Sequence, residues 1–156
     1  MRLGLLATFI LCLLATISPV HAEPITSKKW RVIDGDTIDI TIRLRLASID
    51  TPESNQYCYD AQDEEWHCGL VATGRLIELL VDKISCELHD KDRYGRYIAT
   101  CASNGLNVQK ILVEEGLAVA EYGESYRADE RQAQEAERGM WAGEFLRPRD
   151  WRRRNR

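Results

Sequence analysis

The chain has 156 residues and a formal net charge of −4; 44% of its residues are hydrophobic and 29% charged, with ten scattered glycines and four prolines. These proportions exclude collagen-like, fibrous and disordered classes, and the length favours one domain. Residues 23–146 carry fourteen basic against twenty-four acidic side chains, which excludes a protein that coats nucleic acid with a basic face; phosphate chemistry here needs a few placed cations or a metal.

Residues 1–22 hold a single charge, Arg2, then an apolar run around Phe9-Ile10-Leu11, and end in Val20-His21-Ala22. This is the pattern of a secretory signal peptide, Cys12 being discarded with it, and Pro19 and His21 cut the run too short for a membrane span. The mature domain is expected in the periplasm or outside the cell, as a monomer without stable membrane association.

Trp30 to Ile33 reads as a strand that ends at Asp34-Gly35, a hairpin signal. Ile38, Ile40, Ile42, Leu44 and Leu46 then alternate with polar residues, as in a half-buried strand. A single straight strand would hold Asp36 and Arg45 about 30 Å apart on opposite faces, so the chain must double back, near Asp39 to Ile42, for both to serve one site. Residues 69–82 read as a helix with Leu70, Leu76, Ile77 and Leu80 near one face. The stretches 84–89 and 97–101 flank a turn-rich segment and read as a hairpin. Residues 107–115 predict a second helix, stopped at Gly116, and residues 128–138 a third, ended by Gly139. Six arginines crowd the final segment, 147–156, which is either an auxiliary anchor or a frayed terminus. Trp141, Phe145 and Trp151 are expected to pin this end to the body. The element order predicts an α+β fold: a small antiparallel barrel with helices packed on it.

Four cysteines remain after maturation: Cys58, Cys68, Cys86 and Cys101. None shows the two-residue spacing of a zinc site, and export favours oxidation. A hairpin centred between Arg93 and Tyr94 sets Cys86 opposite Cys101, within disulfide reach. Cys58 with Cys68 then closes a short loop across Asp60, Asp63, Glu64 and Glu65. His67 and His89 have no partners at a spacing that suits zinc or nucleophilic catalysis.

The chemistry resides in three segments. Val32-Ile33-Asp34-Gly35-Asp36-Thr37 comes first, then Arg45 with Asp50-Thr51-Pro52-Glu53, and later Arg93-Tyr94-Gly95-Arg96. Oxygen donors at Asp36, Asp50 and neighbouring carbonyls suit a hard cation such as calcium. Arg45 and Arg96 can fork onto a phosphate and stabilise charge on its oxygens, and Glu53 can activate a water. Any one of these residues alone would be an ordinary turn or strand residue; their combination is the signal.

These motifs, with Gly116-Leu117-Ala118, Tyr122 and the late Gly139-Met140-Trp141, resemble the staphylococcal nuclease-like (thermonuclease) family across residues 30–142. The resemblance implies a five-stranded OB barrel with three helices and calcium-dependent hydrolysis of DNA and RNA to 3′-phosphorylated products. It implies metal on Asp36, Asp50 and the Thr51 carbonyl, catalytic roles for Arg45, Arg96 and Glu53, and substrate contacts for Arg93, Tyr94 and Tyr122. Single-stranded or frayed nucleic acid is the expected substrate. The link from Asp36 to Arg45 is shorter than in the family's namesake, and Glu124 replaces its second tyrosine. The competing expectations are a non-catalytic OB-fold module that only binds nucleic acid and a disulfide-braced interaction protein.

Overall fold

The computed structural model describes residues 24–81 and 83–156. The segment expected to be a signal peptide, Cys12 included, lies outside the described residues, as does Asp82 at the end of the first predicted helix.

The Asp34-Gly35 signal does make a hairpin. Strands β1 (Lys29–Val32) and β2 (Ile38–Thr41) pair antiparallel, with Trp30 opposite Ile40. The turn is closed by the Ile33 N–H donating to the Thr37 carbonyl at 2.9 Å. All eight strand residues are exposed, and the pair forms a two-stranded sheet of its own. The chain leaves β2 at residues 42–43, just beyond the expected reversal, and enters β3 (Leu44–Leu46).

β3 joins the main sheet. It runs parallel to β8 (Tyr97–Ser103), which pairs antiparallel with β7 (Ile84–Lys91), in the order β3-β8-β7. The register sets Cys86 opposite Cys101, and the two are bonded with Cα atoms 4.1 Å apart. β4 (Ile49–Asp50) pairs with β10 (Val119–Ala120), and the short β5 (Cys58–Tyr59) with β6 (Glu65–Trp66). β9 (Leu106–Asn107) pairs with the end of β8. Among the described residues the strands form four small sheets, and no closed five-stranded barrel. The standing-off of the β1–β2 hairpin is the physical reason: its edge finds no partner in the body.

Helix α1 (Cys68–Leu79) begins at the second disulfide, Cys58 with Cys68. Its buried stripe differs from the expected one. Leu70 and Ile77 are exposed, whereas Cys68 and Ala72 are buried and Leu76 and Leu79 pack on the core. The disulfide and a close approach of Gly69 to the Glu53 backbone set the rotation of the helix. A Cβ on Gly69 would lie 1.7 Å from the Glu53 carbonyl oxygen. Helix α2 (Val108–Glu114) is capped by Asn107, whose side chain accepts from the Lys110 N–H at 2.8 Å. Gly116, at φ +69°, provides the left-handed turn that ends it. The buried Gln109 ties α2 to β8, donating to the Ala99 carbonyl and accepting from the Cys101 N–H.

Helix α3 (Arg127–Glu135) follows, then a 3-10 turn (Gly139–Ala142) that buries Met140. Trp141 and Phe145 stack edge to face on each other and pack against the cluster of Cys58, Cys68, Val119 and Met140. The arginine-rich end is not frayed. Pro148 occupies the first turn of a fourth helix, α4 (Pro148–Arg154), where its missing N–H costs nothing. Among the described residues, four α-helices therefore replace the three expected. The result is an α+β arrangement whose core lies between β4, β10, α1, α2 and α3.

Candidate functional site

Two neighbouring turns build the centre of the site. Ser48, at φ +60°, folds β3 back into β4, so that Arg45 and Asp50 meet. The Arg45 Nη2 donates to Asp50 Oδ1 at 3.2 Å. Asp50 is held from the other side by β10, in register with Val119, and is only 4% exposed. A carboxylate so buried needs charged or hydrogen-bonded partners. A second one comes from the far end of the chain. Arg152 of α4 forks onto both Asp50 oxygens at 3.1 and 2.6 Å, and its Nη1 also reaches Glu53 Oε1 at 2.9 Å. The hydrogen bonds to Asp50, against the opposing cost of burial, and those to Glu53 raise the Arg152 pKa further above its ordinary value.

Glu53 stands on a loop that Pro52 opens. Gln56, fully buried, fixes this loop: its Oε1 accepts from the Glu53 N–H, its own N–H donates to the Glu53 carbonyl at 2.8 Å, and its Nε2 donates to the Leu146 carbonyl at 2.7 Å. One side chain thus links the Glu53 loop to the segment that leads into α4.

Arg96 precedes β8 and is held by Asp92, which accepts from its Nε at 2.7 Å and pairs with Nη2 at 2.6 Å. Burial alone would raise the Asp92 pKa; hydrogen bonds from Arg96 and from the Tyr94 N–H outweigh it and hold the carboxyl below its ordinary range. Arg93 donates to the Tyr94 hydroxyl at 2.8 Å, and the Arg93 and Arg96 guanidinium groups lie 4.9 and 5.6 Å from the Tyr94 ring centre. Tyr122, at φ +61°, turns outward with its ring 5.6 Å from the Arg45 guanidinium.

These groups share one open cleft of about 1200 Å³. Arg45, Glu53, Arg93, Tyr94, Arg96 and Tyr122 all line it, with Asp50 reached through Arg45 and Thr51 following Asp50 in the chain. Asp36 is not among its lining residues: it sits in the exposed β1–β2 turn, where Thr37 donates to its carboxylate at 3.0 Å. The cleft also contains groups that sequence reasoning missed: Arg43, His89, Arg149, Arg152 and Arg156. The available signal was Pro148 at the head of an arginine run, which marks a helix start. His89 bonds Thr100 Oγ1 at 2.8 Å. Among the described residues no group of three or more His, Cys, Asp and Glu side chains is placed to hold a metal. Asp50 and Glu53 nonetheless converge on one cationic group, the Arg152 guanidinium, so their oxygens fit a shared cation.

Seven arginines around two paired carboxylates, in an otherwise acidic body, define a domain built to receive anions. Residues 43–143 match the model of the family described as staphylococcal nuclease homologue, and the chain belongs to that family. The family's domain is an OB-fold, and its nucleases use a metal ion. Among relatives, the chain is 32% identical over 145 residues to a micrococcal nuclease of Shigella flexneri, covering 79% of this chain and 78% of the relative. It is 30% identical over 150 residues to an uncharacterized endonuclease of Escherichia coli O157:H7, covering 87% of this chain and 90% of that protein. It is 40% identical over 111 residues to the succinoglycan biosynthesis protein ExoI of Rhizobium meliloti; the match covers 69% of this chain but only 58% of that relative's length. No helix among the described residues is long and apolar enough to cross a membrane.

Proposed function

We propose that this protein is an exported, calcium-dependent nuclease that hydrolyses phosphodiesters of DNA and RNA by water attack and leaves 3′-phosphorylated products. The observation that carries this reading is the sharing of one cleft by Arg45, Glu53 and Arg96 above the buried Asp50. The relatives named as nucleases support it, and the two disulfides support export.

Arg45 and Arg96 grip the non-bridging oxygens of the scissile phosphate and stabilise the charge that grows on them. Glu53 accepts a proton from the attacking water, whose oxygen bonds to phosphorus as the bond to the 5′-oxygen breaks; that oxygen leaves with the bonding pair and takes a proton from solvent to become the 5′-hydroxyl. The phosphate remains on the 3′-oxygen. Tyr94 and Tyr122, both exposed at the cleft, offer faces for bases, which suits single-stranded or frayed substrate. Asp50, the Thr51 carbonyl and Asp36 are the residues assigned to calcium; for Asp36 this requires the hairpin to move to the cleft. When bound, the ion would neutralise phosphate charge and acidify water.

One observation favours a second reading, a binding module without catalysis: Arg152 occupies Asp50 and Glu53, and Asp36 stands off the cleft. Incubating the purified protein with heat-denatured DNA decides between them. Fragmentation in calcium that stops on chelation, with ends sensitive to phosphatase, is the expected result. Strands that are retarded but intact would establish the binder.

A further inference from the structure

The six arginines of the C-terminal segment do three different things. Arg147 is structural, pairing with Glu121 at 3.9 Å and Glu130 at 3.4 Å and lying 5.7 Å from the Trp141 ring centre. Arg153 pairs with Asp150 at 3.2 Å, and neither it nor Arg154 lines the cleft. Arg149, Arg152 and Arg156 do line it. Arg149 is 69% exposed and reaches Glu121 only at 3.6 Å, and Arg156 forms no ion pair among the described residues.

We propose that Arg149, Arg152 and Arg156 form a binding site for the backbone phosphates of a nucleic acid strand, beyond the position of the scissile phosphate. This inference rests on the reading that the cleft takes nucleic acid. Chemistry and spacing both carry it. Guanidinium groups match phosphate oxygens in a planar fork and lose little hydration on pairing. Arg149 and Arg152 stand on α4, one turn or about 5 Å apart, and Arg156 follows two residues beyond its end; a stacked strand presents a phosphate about every 3.4 Å, so the three side chains cover a stretch of backbone rather than one group. The body repels polyanions, which makes a local arginine wall the natural means of holding a strand in the cleft. Arg152 then has two anionic partners to choose between, the acid pair and a phosphate. A strand that draws it away frees Asp50 and Glu53.

The test measures binding in chelator, where no cleavage intervenes. A labelled single-stranded 20-mer is titrated against wild type, Arg149→Gln/Arg156→Gln and Arg153→Gln/Arg154→Gln across a salt series. The two double variants remove equal charge from the same helix region, and matching thermal melts verify that each is folded. The first is expected to weaken binding about tenfold and to lower the salt slope by roughly 1.4, about 0.7 for each lost phosphate contact on a single strand. The second is expected to bind within about twofold of wild type, in the manner of a solvated exposed charge. Equal losses in both variants, no loss in the first, or no binding by wild type would each overturn the proposal. A protein that cleaves in calcium but shows equal losses loses the α4 site and keeps the hydrolytic reading. One that discriminates the variants yet never cleaves keeps the site and loses hydrolysis.

Discussion

The loop from Asp50 to Gln56 and the β1–β2 hairpin with Asp36 carry equally strong motifs but sit in opposite physical circumstances. Asp50 is buried, paired through β4 to β10 and bound by two arginines. Two hydrogen bonds with Gln56, itself tied to the Leu146 carbonyl, and the contact with Gly69 hold the Glu53 backbone. The hairpin has its own ladder and turn bonds, a bond from the adjacent Ser27 hydroxyl to the Thr41 carbonyl, and an exposed pair, Arg31 with Asp39 at 2.6 Å; Trp30, Val32, Ile38 and Ile40 are all exposed. A motif supplies the right functional groups. Only tertiary contacts supply their position, and here one region has them while the other does not.

The largest effects should come from the pinned region. Glu53→Ala, Arg45→Ala and Arg96→Ala are each expected to slow cleavage about a hundredfold or more with melting temperature little changed. Turnover near wild type in any of them removes that residue from the mechanism. Arg96→Lys should also lose activity, because an ammonium cannot fork onto two oxygens. Next in size is Gly69→Ala. The added methyl meets backbone, not a flexible side chain, so the loop or α1 must shift, at an expected cost of about 3 kcal/mol in denaturant unfolding. A variant as stable as wild type would show that Gly69 is not what holds Glu53 in place.

How much of this was legible follows the same division. The pairing of Cys86 with Cys101 was readable from the hairpin, although the register beside the turn, Lys91 opposite Tyr97, is offset by one residue and a bulge between Leu88 and Asp90 restores the expected pairing. Whereas α3 ends at Glu135, short of the expected stop at Gly139, which instead opens the 3-10 turn, the stop of α2 at Gly116 is local chemistry and was readable too. The phase of α1 was not, since Leu70 and Ile77 fit a helical stripe as well as Cys68 and Ala72 do; a disulfide and a backbone contact from elsewhere chose between them. Nor was the arrival of Arg152 at Asp50, a contact across 102 positions. Alternation in β2 was read correctly as a strand, yet alternation cannot say whether the strand's apolar face finds a partner.

Arg152→Gln sharpens the comparison at the acid pair. Removing its guanidinium takes a charge-assisted set of hydrogen bonds from Asp50 and Glu53, so calorimetric titration should show calcium binding about tenfold tighter. Affinity equal to wild type would mean that the ion does not use this pair.

The smallest structural effect belongs to Asp36→Asn, and it divides the two regions most sharply. Asp36 is exposed and bonded only within its own turn, to Thr37 and Asp34, so unfolding stability should change by no more than about 0.5 kcal/mol. Calcium titration of the same variant measures something else. Weaker binding would mean that the hairpin closes onto the cleft when the ion is present, its apolar strand face gaining a partner as it does so. Unchanged binding would confine the ion to Asp50, the Thr51 carbonyl and Glu53, and would make the hairpin a bystander to the chemistry despite its motif. A large loss of stability would contradict the exposed placement itself, because nothing that Asp36 touches in the open hairpin can supply one.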